Sequence, residues 1–416
     1  MSSNATGTSF PNRWVIATAA FCMQLALGAV YAWSVFLNPV IKAYGVTKVP
    51  ANLTFSVALL AIGVTAGFGG YLNSRFGPRA IATVGGIIYG AGIILAGFAA
   101  PNLFVLYLTY GIIGGIGLGL GYIVALAMLI KWFPDRRGFI AGLAVAGFGA
   151  GAALTGPVAA NYMLGPLGLG RTLNILGIAY LVIVVVAAQF FRKAPDGYAP
   201  PGWVAVNKPQ ELRSKRDYDL REALSSPKWY VLWLTLALNV TAGAALISVA
   251  SPLAQDFTKV TAGVAATLVI TISIFNGAGR LFWGWLSDAI GRPFTFLSLF
   301  VVQIIAFLLL PSIGNFALLF IPASLIGLCY GGGFGTMPAF AADFFGSKNA
   351  GTIYGVMLTA WSAGGIVGPL LIASMDTRLA LYIIAGLMLI SCVLPLVARA
   401  IGRQEAQTVE VVAGEA

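Results

Sequence analysis

Apolar runs of membrane-crossing length recur twelve times along this chain, and no other feature restricts its fold as tightly. They cover residues 14–38, 52–72, 80–99, 102–130, 139–163, 170–191, 229–255, 262–287, 294–311, 315–341, 350–374 and 379–399. A helix needs about 20 mostly apolar residues to cross the hydrocarbon of a bilayer. Amides that meet lipid must pair within their own segment, so each run predicts a transmembrane helix. Composition agrees, since 59% of the 416 residues are hydrophobic and only 9% are charged. Soluble domains carry about a quarter charged residues. The expected fold class is an all-α membrane protein with twelve transmembrane helices in two six-helix bundles.

The longest polar stretch, 192–228, divides the runs six and six. This gives an N-terminal bundle (1–191), a linker (192–228) and a C-terminal bundle with a short tail (229–416). With both termini in the cytoplasm, 18 basic residues fall on the cytoplasmic side and five in the outer loops. Such a bias sets orientation, because short cytoplasmic loops are the ones that retain Lys and Arg. The net charge of +11 therefore belongs to membrane topology and not to nucleic-acid binding. Eight of the basic residues lie in the linker, which suits an inter-bundle connection; contact with lipid headgroups is the alternative. No basic stretch followed by a short apolar core and a small-residue site opens the chain, so no cleaved leader is expected.

The halves repeat each other. GYLNSRFGPR (70–79) matches GWLSDAIGR (284–292), with Gly70 and Gly284, and Gly77 and Gly291, each 214 apart. KWFPDRRGFIAG (131–142) matches DFFGSKNAGTIYG (343–355), with Gly142 and Gly355 213 apart. Parallel duplication of six helices is the build of two-bundle secondary transporters. Enzyme classes are poorly served: the chain has no histidine, its three cysteines all lie inside apolar runs, and all 13 acidic residues lie in loops, tails or run edges. No metal or cofactor is expected.

One basic residue breaks the pattern. Arg280 sits inside ISIFNGAGRLFWGW (272–285), while every other Lys or Arg lies in a loop, a tail or at a run edge. On a helical wheel Ser273, Asn276, Gly277, Arg280 and Gly284 form one polar and small stripe, so Arg280 faces the bundle interior. It lies eight residues before Asp288, or roughly 12 Å from the membrane edge. A snorkelling side chain covers part of that distance. An unpaired arginine at mid-membrane costs about 2.5–3.5 kcal/mol on insertion scales. A substrate carboxylate is the natural partner, because the guanidinium fork binds it bidentately.

The G-x-L-x-D-x-x-G-R pattern, complete at Gly284, Leu286, Asp288, Gly291 and Arg292, resembles the cytoplasmic signature of the major facilitator superfamily. The first copy, with Gly70, Arg75, Gly77 and Arg79, departs from it: Ser74 stands where the aspartate is usual. Together with NRW (12–14), YAWSVFLNP (31–39), KWFPDRRG (131–138, with Asp135 and Arg136) and DFFG (343–346), the chain resembles the monocarboxylate transporter family and its bacterial oxalate/formate exchanger branch. The resemblance spans about residues 12 to 400 and matches the family's substrate-binding arginine to Arg280. It matches Asn276 to an aspartate linked to proton coupling in animal members, and Asn276 does not titrate. It also places Trp361 where oxalate exchangers carry a second cation, a lysine. The exchangers' aromatic cage falls on Tyr31, Tyr122, Tyr330 and Phe334, with Leu358 near Trp361. Leu27 and Leu143 are further candidates for an apolar wall.

One cation suits one carboxylate, since a second would be left unpaired in a low-dielectric site. The expectation is a secondary active carrier of small monocarboxylates of the L-lactate or pyruvate type. It would be a proton symporter, a monomer, and a multi-pass protein of the inner plasma membrane, with lipid, the anion and the proton as its partners. A proton would travel by Asp256, with the substrate, or through water beside Arg280. The alternatives are obligatory carboxylate exchange of the oxalate/formate type and, outside transport, a sensor on a transporter fold.

Overall fold

The computed structural model describes residues 12–195, 198, 200, 216–346 and 348–414, without the side chains of 137, 138, 141 and 405–414. Residues 196, 197, 199 and 201–215 of the linker, and the N-terminal tail to residue 11, lie outside the described residues.

Among the described residues, eleven helical runs are long and apolar enough to cross a membrane, and one of them, Gly142–Gln189, is 48 residues long. That run makes two passes. Gly168 has φ 73°, which breaks the helix, and Thr155 Oγ1 meets Tyr180 Oη at 3.0 Å. In an unbroken helix those residues would stand roughly 37 Å apart. The crossings are α1 (Arg13–Tyr44), α2 (Lys48–Phe76), α3 (Pro78–Ala96), α4 (Leu103–Trp132), α5 (137–163) and α6 (Leu164–Gln189) in the first half. In the second half they are α7 (Pro227–Thr258), α8 (Ala262–Ile290), α9 (Arg292–Ser312), α10 (Phe316–Phe345), α11 (Ala350–Ser374) and α12 (Thr377–Gln404). The last helix outruns its apolar segment and continues to Gly414.

Side chains sort by face as in a lipid-solvated bundle. Phe98, Tyr162, Phe68 and Trp285 project outward and exposed, while the polar residues Gln24, Asn52, Asn239 and Gln303 are buried within. Each half turns from its second to its third helix on a glycine in a left-handed-region conformation. Gly77 has φ 82° and Gly291 has φ 84°, a geometry a Cβ disfavours. The end of the molecule bearing these two turns is called the signature end below.

The halves meet along several helix crossings, two of which are lined by small residues. In the α5–α8 crossing Gly142 packs under Leu281, Gly149 backs onto Gly277, and Gly156 lies near Val269. In the α2–α11 crossing Gly67 neighbours the Gly355 carbonyl, and Ser362 Oγ donates to the Leu60 carbonyl at 2.9 Å. At the end opposite the signature turns, Lys48 Nζ donates to Thr377 Oγ1 at 3.1 Å. Contact therefore runs from one end of the molecule to the other, and the interface is shut at both. The described end of the linker docks on the second half: Tyr218 N donates to the Phe345 carbonyl at 2.9 Å, and Asn349 Nδ2 to the Tyr218 carbonyl at 2.7 Å.

Candidate functional site

Arg280 lies at the centre of the interface between halves and is 1% exposed. Its Nε donates to Asn276 Oδ1 at 3.4 Å, one turn earlier on the same stripe, and its Nη1 donates to Tyr122 Oη at 3.4 Å. Both bonds are long. Among the described residues no carboxylate pairs with it. The guanidinium instead sits between two rings, 5.0 Å from the centroid of Phe334 and 5.6 Å from that of Phe148. Each such contact contributes about 0.5–2 kcal/mol, depending on desolvation.

A ring of aromatics closes around the arginine. Trp361 is fully buried, with its centroid 5.0 Å from Phe334, 5.2 Å from Tyr122 and 5.5 Å from Phe148. Tyr31 packs edge-on to Phe148 at 5.2 Å, and its hydroxyl meets the Tyr330 hydroxyl at 2.8 Å. The first half thus contributes Tyr31, Tyr122 and Phe148, and the second contributes Asn276, Arg280, Tyr330, Phe334 and Trp361. The cage is nearly solid: a cavity of about 10 Å3 remains beside Tyr31, Ser273 and Asn276, the room of about one water molecule.

Irregular backbone carries several of these groups. Tyr31 lies in a 3-10 segment, Gly28–Ala32, that interrupts α1. Trp361 follows a break at Leu358, which ends one stretch of α11 and caps the next. Breaks of this kind are frequent where a helix serves a site. Leu27 is buried against Gly121, next to Tyr122, and Leu358 is buried with its carbonyl facing Gly63. Leu143 is half-buried on α5, five residues before Phe148. Asp256 is exposed in the last turn of α7, well away from the level of Arg280, so the structure does not bring it to the cage.

Phe148, missing from the sequence expectation, is a full member of the cage. Its signal was present, because it stands between Gly147, Gly149 and Gly151 as Tyr31 and Tyr122 stand beside small residues. Two buried amides outside the sequence expectation also support the cage. Gln24 Nε2 donates to the Tyr122 carbonyl at 3.3 Å, and Asn239 Nδ2 donates to the Tyr330 carbonyl at 3.4 Å. Asn239 Oδ1 accepts from Gln303 Nε2 at 2.7 Å. In each half, an amide on the first helix therefore holds the backbone of a cage tyrosine on the fourth.

At the signature end the two copies differ. In the second, Arg292 pairs with Asp288 at 2.6 Å and Asp343 at 3.1 Å, and also donates to Ser287. In the first, the Ser74 hydroxyl turns back to the Tyr71 carbonyl, Arg79 donates to Gln189 Oε1, and Arg75 lies over Phe76. Gly70 and Gly284 mark corresponding turns of α2 and α8; a Cβ on Gly70 would meet nothing, and one on Gly284 only the Gly335 carbonyl. Asp135 joins α1 to the α4–α5 loop, accepting from Arg13 at 2.6 and 3.0 Å with Arg136 at 3.8 Å. Burial alone would raise the Asp135 carboxyl, but the Arg13 hydrogen bonds and the two guanidinium charges hold it below the usual carboxylate range. Its stabilising contribution is thus lost only as pH falls through that lowered value.

The family model described as Major Facilitator Superfamily matches residues 16–369, and again 232–415. The chain is 30% identical to the uncharacterized MFS-type transporter YhjX of Escherichia coli (strain K12), over 85% of this chain and 86% of that one. It is 28% identical to the oxalate:formate antiporter of Oxalobacter formigenes, over 91% of this chain and 89% of the antiporter. A shorter match, 36% identical over 135 residues, joins 32% of this chain to 27% of monocarboxylate transporter 3 of Rattus norvegicus. Among solved structures, a bacterial homolog of the human lysosomal transporter Spinster, inward-facing and occupied, aligns with a TM-score of 0.73 at 16% identity. That alignment covers 94% of this chain and 98% of the other.

Proposed function

The chain belongs to the Major Facilitator Superfamily, and on that premise we propose that it is a secondary active carrier of small monocarboxylates of the pyruvate or L-lactate type. One observation carries the reading: Arg280 is buried at the meeting of the two halves with aromatic and neutral polar neighbours and no carboxylate partner. The substrate carboxylate takes that place, held by the guanidinium and Asn276. Its methyl end packs against the rings and the apolar wall of Leu27 and Leu358.

Binding and transport are linked through charge. A buried cation in a dry cage is costly until an anion neutralises it, so the loaded site closes more readily than the empty one. The two bundles, 1–191 and 229–416, then rock about the α2–α11 and α5–α8 crossings. The cage must widen to admit a substrate, since the space left when closed holds about 10 Å3. The signature end faces the cytoplasm in this reading. Both termini lie there too, and a monomer in the inner plasma membrane suffices.

Proton symport and obligatory exchange both follow from such a site. Exchange has a specific observation in its favour: no acidic residue stands beside Arg280 among the described residues, so a charge-balanced return of the empty carrier lacks a protein proton. Proteoliposomes holding the full chain separate the two. Net uptake of labelled lactate or pyruvate into buffer-loaded vesicles under an inward proton gradient establishes symport. Uptake only into vesicles preloaded with carboxylate establishes exchange. The Arg280→Lys variant, which keeps the charge but loses the fork, is expected to fold normally and lose about 100-fold or more in uptake, matching the loss of a bidentate pair at about 3 kcal/mol. Undiminished uptake by that variant removes Arg280 from the mechanism.

A further inference from the structure

Four polar groups around the cage are buried and make no hydrogen bond of ordinary length and angle: Arg280 Nη2, Asn276 Nδ2, Trp361 Nε1 and Tyr354 Oη, of which Trp361 has only a weak contact to the Tyr330 hydroxyl and Tyr354 only one to the Tyr122 hydroxyl. Their residues are between 0% and 3% exposed. Three of the four are donors only, and the fourth is a hydroxyl. The acceptors nearby are partly spent, for Asn276 Oδ1 already takes the Arg280 Nε–H and the Tyr31 and Tyr330 hydroxyls engage each other. The cage therefore holds a surplus of donors and asks for a ligand rich in acceptors.

Their arrangement divides the surplus into two sets. Arg280 and Asn276 lie one turn apart on α8 and together suit a carboxylate. Trp361 and Tyr354 lie two turns apart on α11, and Trp361 packs against the same Phe334 and Phe148 rings that flank the guanidinium. Both α11 groups are uncharged, so they suit an uncharged oxygen and leave a second carboxylate without a counter-charge.

We propose that Trp361 is a specificity-determining residue, whose indole N–H, with the Tyr354 hydroxyl, receives the C2 carbonyl oxygen of a 2-oxo monocarboxylate. This rests on the monocarboxylate reading above and narrows it. A 2-oxo acid offers three acceptor oxygens and no donor. A 2-hydroxy acid brings a donor into a site short of free acceptors, and an unsubstituted acid leaves the buried indole N–H with only its weak contact. A buried group left unpaired costs about 1–3 kcal/mol.

The test is calorimetric titration of the purified full chain with sodium pyruvate, L-lactate, propionate and oxalate. Pyruvate is expected to bind about tenfold or more tighter than propionate, with lactate between them and oxalate weaker than pyruvate. In Trp361→Phe, which keeps a ring but removes the donor, the pyruvate advantage is expected to shrink to about threefold or less while propionate affinity is nearly unchanged. Equal binding of propionate and pyruvate, a preference for lactate or oxalate over pyruvate, or an undiminished pyruvate advantage in Trp361→Phe each overturns the proposal. The wild-type series decides the matter alone if the variant does not fold. If none of the four acids binds, the monocarboxylate reading itself falls and the proposal falls with it.

Discussion

Arg280 is buried where the two halves meet, and among the described residues no carboxylate pairs with it. Its inward placement was legible because a charge inside an apolar run permits few solutions, and a wheel decides which face it takes. The positions of Tyr31, Tyr122, Tyr330, Phe334 and Trp361 came through family resemblance, and nothing in their spacing would have grouped them. Gln24 and Asn239 escaped notice for a different reason: a lone amide in an apolar run has no periodic partner, and its acceptor is a distant backbone carbonyl. The Asn239–Gln303 pair is testable by symmetry of loss. Asn239→Leu leaves the buried Gln303 amide without its partner and removes the side-chain bond to the Tyr330 carbonyl, and is expected to destabilise the protein by about 1–3 kcal/mol, seen as a lower melting temperature in detergent. Adding Gln303→Leu removes the orphaned partner as well and should restore most of that loss. Failure of the double variant to recover would mean that the amides are not coupled.

At the scale of elements, twelve apolar runs predicted twelve crossings, and the edges fell within a few residues because charges and glycines punctuate them. What the runs did not disclose is where helices bend. The 3-10 segment at Gly28–Ala32 and the break at Leu358 depend on tertiary contact, since nothing in GAVYA or in MLTA forbids a regular helix. Gly28 is held by such a contact. A Cβ there would collide with the Phe148 backbone carbonyl, whereas a Cβ on Gly70 would meet nothing. Gly28→Ala is therefore expected to displace α1 from α5, lowering stability by about 1–3 kcal/mol. Gly70→Ala should leave the melting temperature unchanged, and equal behaviour of the two variants would count against this packing.

For the whole molecule, closure at both ends depends on small residues at the two crossings. Where Gly149 backs onto Gly277, an added Cβ would stand 2.7 Å from the Gly277 nitrogen and 2.9 Å from the Asn276 carbonyl carbon. Backbone has nowhere to retreat, so Gly149→Ala should hold the halves apart while each bundle stays folded. The expected result is a loss of about tenfold in carboxylate exchange, about 1.4 kcal/mol against the closed state, with folded yield preserved. Normal exchange by that variant would show that tight α5–α8 contact is not part of the cycle. The same contact has a mechanical consequence. Gly277 lies three residues from Arg280, so a point of close backbone approach between the halves is also where the proposed function has the anion gripped. A lever turns about its fulcrum with large excursions at the tips and almost none at the pivot. The mouths at either end can thus open and shut widely while the cargo stays in place, and the grip need not be broken and remade as the doorway changes sides.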